Sequence, residues 1–257
     1  LSDSGKPRSG ALPGLLSVLA MLVIWTVASQ LTDRPQTLPA PWHVAERIGQ
    51  LAATGELWFN AGMTLWRVAA SFALAMVIGL ALGLAMGRSR RFDDWLNPGI
   101  IILLNIPALV VIVLSYIWIG LNETAAILAV ALNKIPVVTV MIREGARALR
   151  PDLDEMAHAF RMPAATRLRH VVLPQLAPQI AASARAGISL IWKIVLVVEF
   201  LGRSNGVGFK IHLLFSSFDV EGVLAWALTF VLVMLSIDLF ILRPWERRAN
   251  RWRQDAA

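Results

Sequence analysis

The 257-residue chain has no cysteine and one tyrosine, and only 16% of its residues are charged. Without cysteine there is no disulfide framework and no thiolate metal site. The scarcity of charge, set against 57% hydrophobic residues, excludes an ordinary soluble domain. The histidines, His43, His158, His170 and His212, are scattered without the spacing of metal ligands. No Gly-x4-Gly-Lys-Ser/Thr phosphate loop occurs, so the sequence carries no P-loop signature of a nucleotide site. Neither a soluble output domain nor clustered intramembrane His, Asp or Glu is present, which argues against a membrane enzyme or a signalling subunit.

What is present is a series of apolar runs of about 20 residues, long enough to cross about 30 Å of hydrocarbon. Six spans are expected: about 12–29, 64–87, 99–120, 124–142, 177–201 and 222–242. Pro107 falls inside the third, and Asn133-Lys134-Ile135-Pro136 is expected to break the fourth. The expected fold class is therefore an all-α integral membrane protein. The basic start, apolar core and small residues Ala28-Ser29 of the first span also fit a cleaved signal peptide, although the apolar core is long for one. The chain opens on Leu1 rather than Met, as a start that has been trimmed or lies upstream would.

The net charge of +7 could point to nucleic acid, but its distribution points to a membrane. Lys6 and Arg8 precede the first span, and Arg88, Arg90 and Arg91 follow the second. Arg143, Arg147, Arg150, Arg161, Arg167 and Arg169 lie between the fourth and fifth, and Arg243, Arg247, Arg248, Arg251 and Arg253 follow the sixth. The opposite side holds only Arg34, Arg47, Arg203 and Lys210. The positive-inside pattern puts both ends, residues 1–11 and 254–257, and the 143–176 loop in the cytoplasm. On the other side, Leu38-Pro39-Ala40-Pro41 reads as extended, and residues 42–59 as a short interfacial helix.

The 143–176 loop is the polar insert of this apolar chain. Pro151 suits a first helical position, and Asp152 with Glu155 resembles a capping box. Leu153, Met156, Ala157 and Phe160 then share one face of a short helix. A second short helix is expected from Pro163 to Pro174, where Pro174 and Pro178 stop it. Spacing alone leaves open whether this is a linking hairpin or an element that docks into a partner's groove.

The order Glu155-Met156-Ala157, Arg161, Val171, Leu173-Pro174 resembles the EAA loop of binding-protein-dependent ABC importer permeases: Glu-Ala-Ala, three residues, Gly, nine residues, Ile, one residue, Leu-Pro. The spacing agrees throughout. Met156 and Val171 are mild changes, and Arg161 stands where the family has Gly. A residue with a Cβ in a left-handed turn costs roughly 1–2 kcal/mol, so the turn is either built differently or Arg161 pairs with an acid on a partner. Thr64-Leu65-Trp66-Arg67, Arg185, Trp192, Glu199, Gly206-Val207-Gly208 and the basic tail from Arg243 to Trp252 resemble the nitrate/sulfonate/taurine branch, so that the likeness covers about residues 12–253.

The resemblance implies a MetI-like six-helix permease domain with a cytoplasmic coupling helix and no catalysis of its own. Leu153, Glu155, Met156, Ala157, Phe160, Arg161, Leu173 and Pro174 would couple it to an ATPase. It implies a second permease copy, two cytoplasmic ATPase subunits that carry ATP and Mg, a periplasmic binding protein and surrounding membrane lipid, with no nucleic acid and no cofactor on this chain. The solute would be a small anion of the sulfonate, nitrate, taurine or carboxylate class; carriers of cofactor precursors and aromatic acids belong to the same branch.

Charges within spans are costly and mark candidate pathway residues. Lys134 with Asn133 and Lys193 with Trp192 are read as such, each against a plain packing role. Glu199, about 240° around the helix from Lys193, is open between packing and gating. Arg67, Arg185 and Asp238 read as snorkelling or interface charges. The glycines Gly79, Gly83 and Gly87 form a small-residue face suited to close packing within one subunit.

Overall fold

The computed structural model describes residues 11–32, 36–242 and 244. The residues outside these ranges include Lys6, Arg8, Arg34 and the basic tail from Arg243 onward except Pro244. Among the described residues the chain is helical and has no strand. Among the described residues five helices are long and apolar enough to cross a membrane, or six if a bent pair counts as one span.

Helix α1 (Ala11–Thr32) is exposed over nearly its whole surface. Trp25 Nε1 donates to Pro39 O (3.1 Å) and Ser29 Oγ to Leu38 O (2.9 Å), which holds the Leu38–Pro41 segment beside it. Pro41 opens α2 (Pro41–Ala53) at its first turn, a position where the missing N–H costs nothing. The expected interfacial helix stops short of residue 59, because Gly55 takes a φ of +80° and turns the chain into α3 (Glu56–Arg88). Helix α2 is also more than interfacial: Val44 and Leu51 are buried with Val207, Ala225 and Trp226.

Two proline expectations are corrected. The third span is not one helix with a proline inside it. Helices α4 (Arg90–Asn105) and α5 (Ala108–Ile119) meet at a 100° bend. Pro107 forces extended backbone on Ile106 (φ −74°, ψ 125°) and ends the helix before it. Conversely, α6 (Glu123–Arg147) runs unbroken through Pro136. An interior proline costs about 3 kcal/mol, and this helix recovers it through burial between neighbours: Val130, Lys134, Pro136, Val138 and Ile142 are all buried.

Beyond α6 come α7 (Pro151–Ala159), α8 (Ala164–Arg167), a π-helical turn (Leu168–Val172) and α9 (Leu173–Gly202). Pro174 and Pro178 do not stop the chain. Residues 164–202 form one continuous rod. The wide π turn directly precedes Pro174, where it accommodates a ring that would clash with the carbonyl four residues back. The capping box is likewise not formed. Arg150 is the N-cap residue of α7 without a side-chain bond to the helix, and Asp152 turns to the Arg150 guanidinium (2.5 and 3.1 Å). That bond holds the Asp152 carboxyl below the usual carboxylate range. After α9 the described residues form α10 (Val207–Ser216), α11 (Val220–Ile237) and a second π turn (Asp238–Leu242).

Helices α3, α5, α6 and α9 share one apolar core through Val68, Ile112, Tyr116, Ala129, Ile191 and Val195. The glycine face of α3 lies against α6 of the same chain, as its spacing predicts. A Cβ on Gly79 would sit 2.6 Å from Val138, and one on Gly83 would sit 2.6 Å from the Thr139 carbonyl. Gly83→Leu is therefore expected to lower the thermal unfolding temperature in detergent sharply. Gly49→Ala, on α2 with nothing within 4 Å of the added atom, should leave it unchanged or slightly raised. Equal stability of Gly83→Leu and the parent would show that α3 and α6 do not pack this closely.

Candidate functional site

The residues of interest gather at two ends of the bundle and in one groove between them. At one end is the 143–176 loop. Pro151 starts α7, and the helix ends in a two-bond cap: Arg161 N donates to His158 O (2.9 Å) and Met162 N to Ala157 O (2.9 Å). This is a Schellman cap, in which the residue after the C-cap takes the left-handed conformation. That residue is Arg161, with φ +46°. The left-handed turn is thus made with an arginine, strain included, at the position where the resembled motif has glycine. Ala157 is buried, Leu153 half-buried, and Glu155, Met156 and Phe160 are exposed, Phe160 by 75%. Leu173 is half-buried and Pro174 exposed, while Val171 and Val172 are buried. The shared apolar face of the sequence reading is therefore split: Ala157 anchors α7 to the chain, and Met156 and Phe160 point away from it.

Salt bridges tie this end together. Asp93 of α4 meets Arg143 (3.1 Å) and Arg147 (2.5 Å) of α6, and Asn97 accepts from Arg143 (2.6 Å). Asp154 of α7 meets Arg88 of α3 (3.3 Å) and Arg167 of α8 (3.0 Å).

At the other end lies a buried ionic network. Arg67, 1% exposed, donates through Nη1 to Glu199, 0% exposed (2.6 Å). Its Nε and Nη2 form a two-point pair with Glu123 (2.7 and 3.0 Å). Nη1 also reaches Asn205 O (3.0 Å), and Nη2 reaches Asn205 Oδ1. Glu199 accepts in addition from Thr64 Oγ1 and from the Gly208 amide, both at 2.9 Å. Asn60 Oδ1 accepts from the Gly206 amide (2.8 Å), and Thr64 Oγ1 from the Val207 amide (2.9 Å). Arg203 closes the set on Glu123 (2.8 Å). Gly206 has φ +106°, and a Cβ there would collide with the Glu199 carboxylate, so this position needs glycine.

The reading of Arg67 as a snorkelling charge is thereby corrected, because its guanidinium is inside the protein with every nitrogen engaged. Glu199, read as a packing or gating residue, is held inside this network. The sequence reading missed Asn60, Glu123 and Asn205. One signal was available: Asn60, Thr64 and Arg67 fall at i, i+4 and i+7 on α3, a polar stripe aimed inward.

Between the ends, the two lysines part company. Lys134 is buried, with its ammonium on a single carbonyl, Ala186 O (3.3 Å), and Gly187 leaves room for its stem. Asn133 bonds back to Ala129 O of its own helix (2.9 Å). Lys193 is exposed and lines a groove of about 680 Å³ between α9 and α11. Arg185, Ser189 and Asp238 supply the groove's other polar groups. Trp192, 6% exposed, forms one wall, edge-on to Phe230 (6.3 Å, 76°). Trp192 and Lys193 therefore line the groove, whereas Asn133, Lys134 and Glu199 do not, although Lys134 bonds the carbonyl of the lining residue Ala186.

Residues 75–243 match the family described as binding-protein-dependent transport system inner membrane component. The chain is 30% identical to a Bacillus subtilis (strain 168) protein described as an aliphatic sulfonates transport permease, SsuC, over 97% of this chain and 90% of that one. It is 28% identical to the taurine transport system permease TauC of Escherichia coli (strain K12), covering 93% and 88%. It is 26% identical to the bicarbonate transport system permease CmpB of Synechococcus elongatus, covering 93% and 90%. Among solved structures, the inward-facing MetNI methionine ABC transporter shares the fold at a TM-score of 0.62 and 17% identity, over 73% of this chain and 93% of that one. An amino acid ABC transporter does so at 0.61 and 22%, over 78% and 97%.

Two substitutions test these geometries. Glu199→Gln keeps an acceptor for Thr64 and Gly208 but leaves Arg67 facing no charge on α9, and should cost about 3–5 kcal/mol. Combined with Arg67→Met, the loss should be smaller than the sum of the singles, read by thermal unfolding in detergent. Arg161→Gly should relieve the left-handed strain and, net of glycine's greater freedom when unfolded, stabilise the turn by about 0.5–1 kcal/mol. The readout is slower hydrogen exchange at the Met162 amide; faster exchange would mean that the guanidinium, not the backbone, holds the turn.

Proposed function

The chain belongs to the family of binding-protein-dependent transport system inner membrane components, which are transport permeases and not enzymes, and from this we propose that two copies of it form the path of a small organic anion across the membrane. The anion would be of the aliphatic sulfonate class. ATPase subunits, carrying ATP and Mg, would seat on α7, and a periplasmic binding protein would deliver the solute to the opposite face.

The observation that carries this reading is Lys193. It stands exposed in the middle of a membrane helix, on a groove face rather than in a core. A lysine facing lipid at that depth costs several kcal/mol, so the face it occupies is one that water, solute or a second copy covers. The groove walls are apolar: Trp192, Phe230, Val231, Met234 and Leu235. A cation set among apolar side chains suits an anion that carries a hydrocarbon part, which favours a sulfonate or carboxylate over nitrate or bicarbonate. Two of the similar permeases are named for anions of this kind, aliphatic sulfonates and taurine, and a third for bicarbonate, which lacks the hydrocarbon part. An aromatic acid also meets these requirements, through Trp192 and Phe230.

Orientation follows from charge. Arg88, Arg90, Arg143, Arg147, Arg150 and Arg167 lie at the α7 end, and the positive-inside rule makes that end cytoplasmic. The buried Arg67 network then faces the periplasm, as do the turns before α3 and after α9. Met156 and Phe160, exposed on a helix outside the spans, have the character of side chains that enter a partner's groove.

Both parts of the proposal are checked in cells that make the chain with its ATPase and binding protein. Lys193→Met should reduce ethanesulfonate uptake at least ten-fold, with Lys193→Arg retaining more. Phe160→Glu should remove the ATPase from the purified complex. Normal uptake by Lys193→Met would take this residue out of the path, and an intact complex with Phe160→Glu would take α7 out of the docking site.

A further inference from the structure

Helix α7 meets the rest of the described chain through an apolar contact and an ionic one, besides the bond of its N-cap amide, Arg150 N, to Gln175 Oε1 of α9 (3.0 Å). In the apolar contact α7 packs on the π turn (Leu168–Val172), with Ala157 buried. The ionic one is made by Asp154. Its two carboxylate oxygens go in different directions, Oδ1 to Arg88 Nη2 (3.3 Å) and Oδ2 to Arg167 Nη2 (3.0 Å). Arg88 is the last residue of α3, and Arg167 is the last of α8, whose rod continues as α9. One side chain of α7 therefore holds the ends of two long membrane helices.

The contact with Arg167 has a second strand. Arg167 Nη1 lies 2.9 Å from His158 Nε2, and His158 Nδ1 lies 2.8 Å from Asp154 O. A guanidinium only donates, so His158 Nε2 accepts, and the ring carries its proton on Nδ1 and donates it to the Asp154 carbonyl. Asp154, His158 and Arg167 thus close a ring that fixes the angle of α7 to α8. The neighbouring Glu155 differs: it is exposed and meets no partner among the described residues. About 100° apart on the helix, one acid is exposed and the other is half-buried in ion pairs.

The side chains of Arg88, Asp154 and Arg167 are 34%, 38% and 23% exposed. Pairs this wet contribute little to stability, so their value lies in geometry. We propose that Asp154 is a positioning residue for transport: it converts a displacement of α7 into a joint displacement of α3 and the α8–α9 rod. The rod carries Lys193 and the groove face, and both helices meet again at the far end through Arg67 and Glu199. This inference rests on the reading that α7 receives the ATPase.

The test uses the full complex of the chain, its ATPase and its binding protein in proteoliposomes, and reads the anion imported per ATP hydrolysed. With Asp154→Asn the ATPase should remain bound at the parent stoichiometry and hydrolyse ATP within about three-fold of the parent rate. Import per ATP should fall at least ten-fold. Asp154→Glu should restore most of the ratio, and Arg88→Gln should lower it without adding to the loss in Asp154→Asn. An unchanged ratio in Asp154→Asn, a failure of Asp154→Glu to recover it, or loss of the ATPase from the Asp154→Asn complex would each overturn the proposal. Phe160→Glu separates this from the underlying reading: if the ATPase stays bound in that variant, docking on α7 fails, whatever Asp154 does.

Discussion

The charge pair Arg67–Glu199 sits where a membrane protein can least tolerate an unpaired ion, and the surrounding structure is arranged to satisfy it. A buried guanidinium brings five N–H donors, and a buried carboxylate about four acceptor sites. Glu123, Asn205, Thr64 and the amides after Gly206 fill these places. To bring them together, α3, α6, α9 and α10 must converge at one end of the bundle. The left-handed Gly206 and the bare Gly208 let the chain turn tightly over the Glu199 carboxylate. A pair of this kind contributes less to net stability than an apolar core would, but removing one partner is severe. Its effect is to fix which helices meet and at what height.

From that fixed point the two long elements run to the opposite face. Helix α3 extends about 30 Å from Arg67 to Arg88, zipped to α6 by glycines on one stripe. Helix α9 and its π-helical start run back to Arg167, passing the groove with Lys193 on the way. At the fixed point they are joined by buried hydrogen bonds, and at the opposite face by half-exposed ion pairs through Asp154. The contrast in burial matters. With Arg67 and Glu199 buried, a lost partner leaves a buried charge, whereas the half-exposed pairs can break and re-form at little cost. A path whose walls must shift while the bundle stays intact has use for both.

The sequence revealed the class well, because lipid dictates it: long apolar runs and basic loops follow from the cost of hydrocarbon burial and of charge translocation. The two short helices of the 143–176 loop were legible from spacing, though not their role, and Arg161 takes a left-handed φ at the position where the resembled motif has glycine. Prolines were the least legible. Pro107 breaks a span and Pro136 does not, since the outcome depends on whether neighbouring helices repay the lost hydrogen bond. Buried ionic partners were also hidden. Arg67 looks like any basic residue near a helix end until Glu199, 132 residues away in sequence, is known to lie beside it. The exposed Lys193 and the enclosed Lys134 carry the same label in the sequence and are separated only by helix rotation.

The account holds that this chain, in pairs, is the path of a small organic anion and that ATP bound elsewhere drives it through α7. Its most direct test is the uptake of radiolabelled ethanesulfonate into proteoliposomes that contain the purified chain with its ATPase, with binding protein outside and ATP and Mg inside. The account predicts saturable uptake that requires both the ATP and the binding protein. No uptake of any organic anion, or uptake that proceeds equally without ATP, would contradict it.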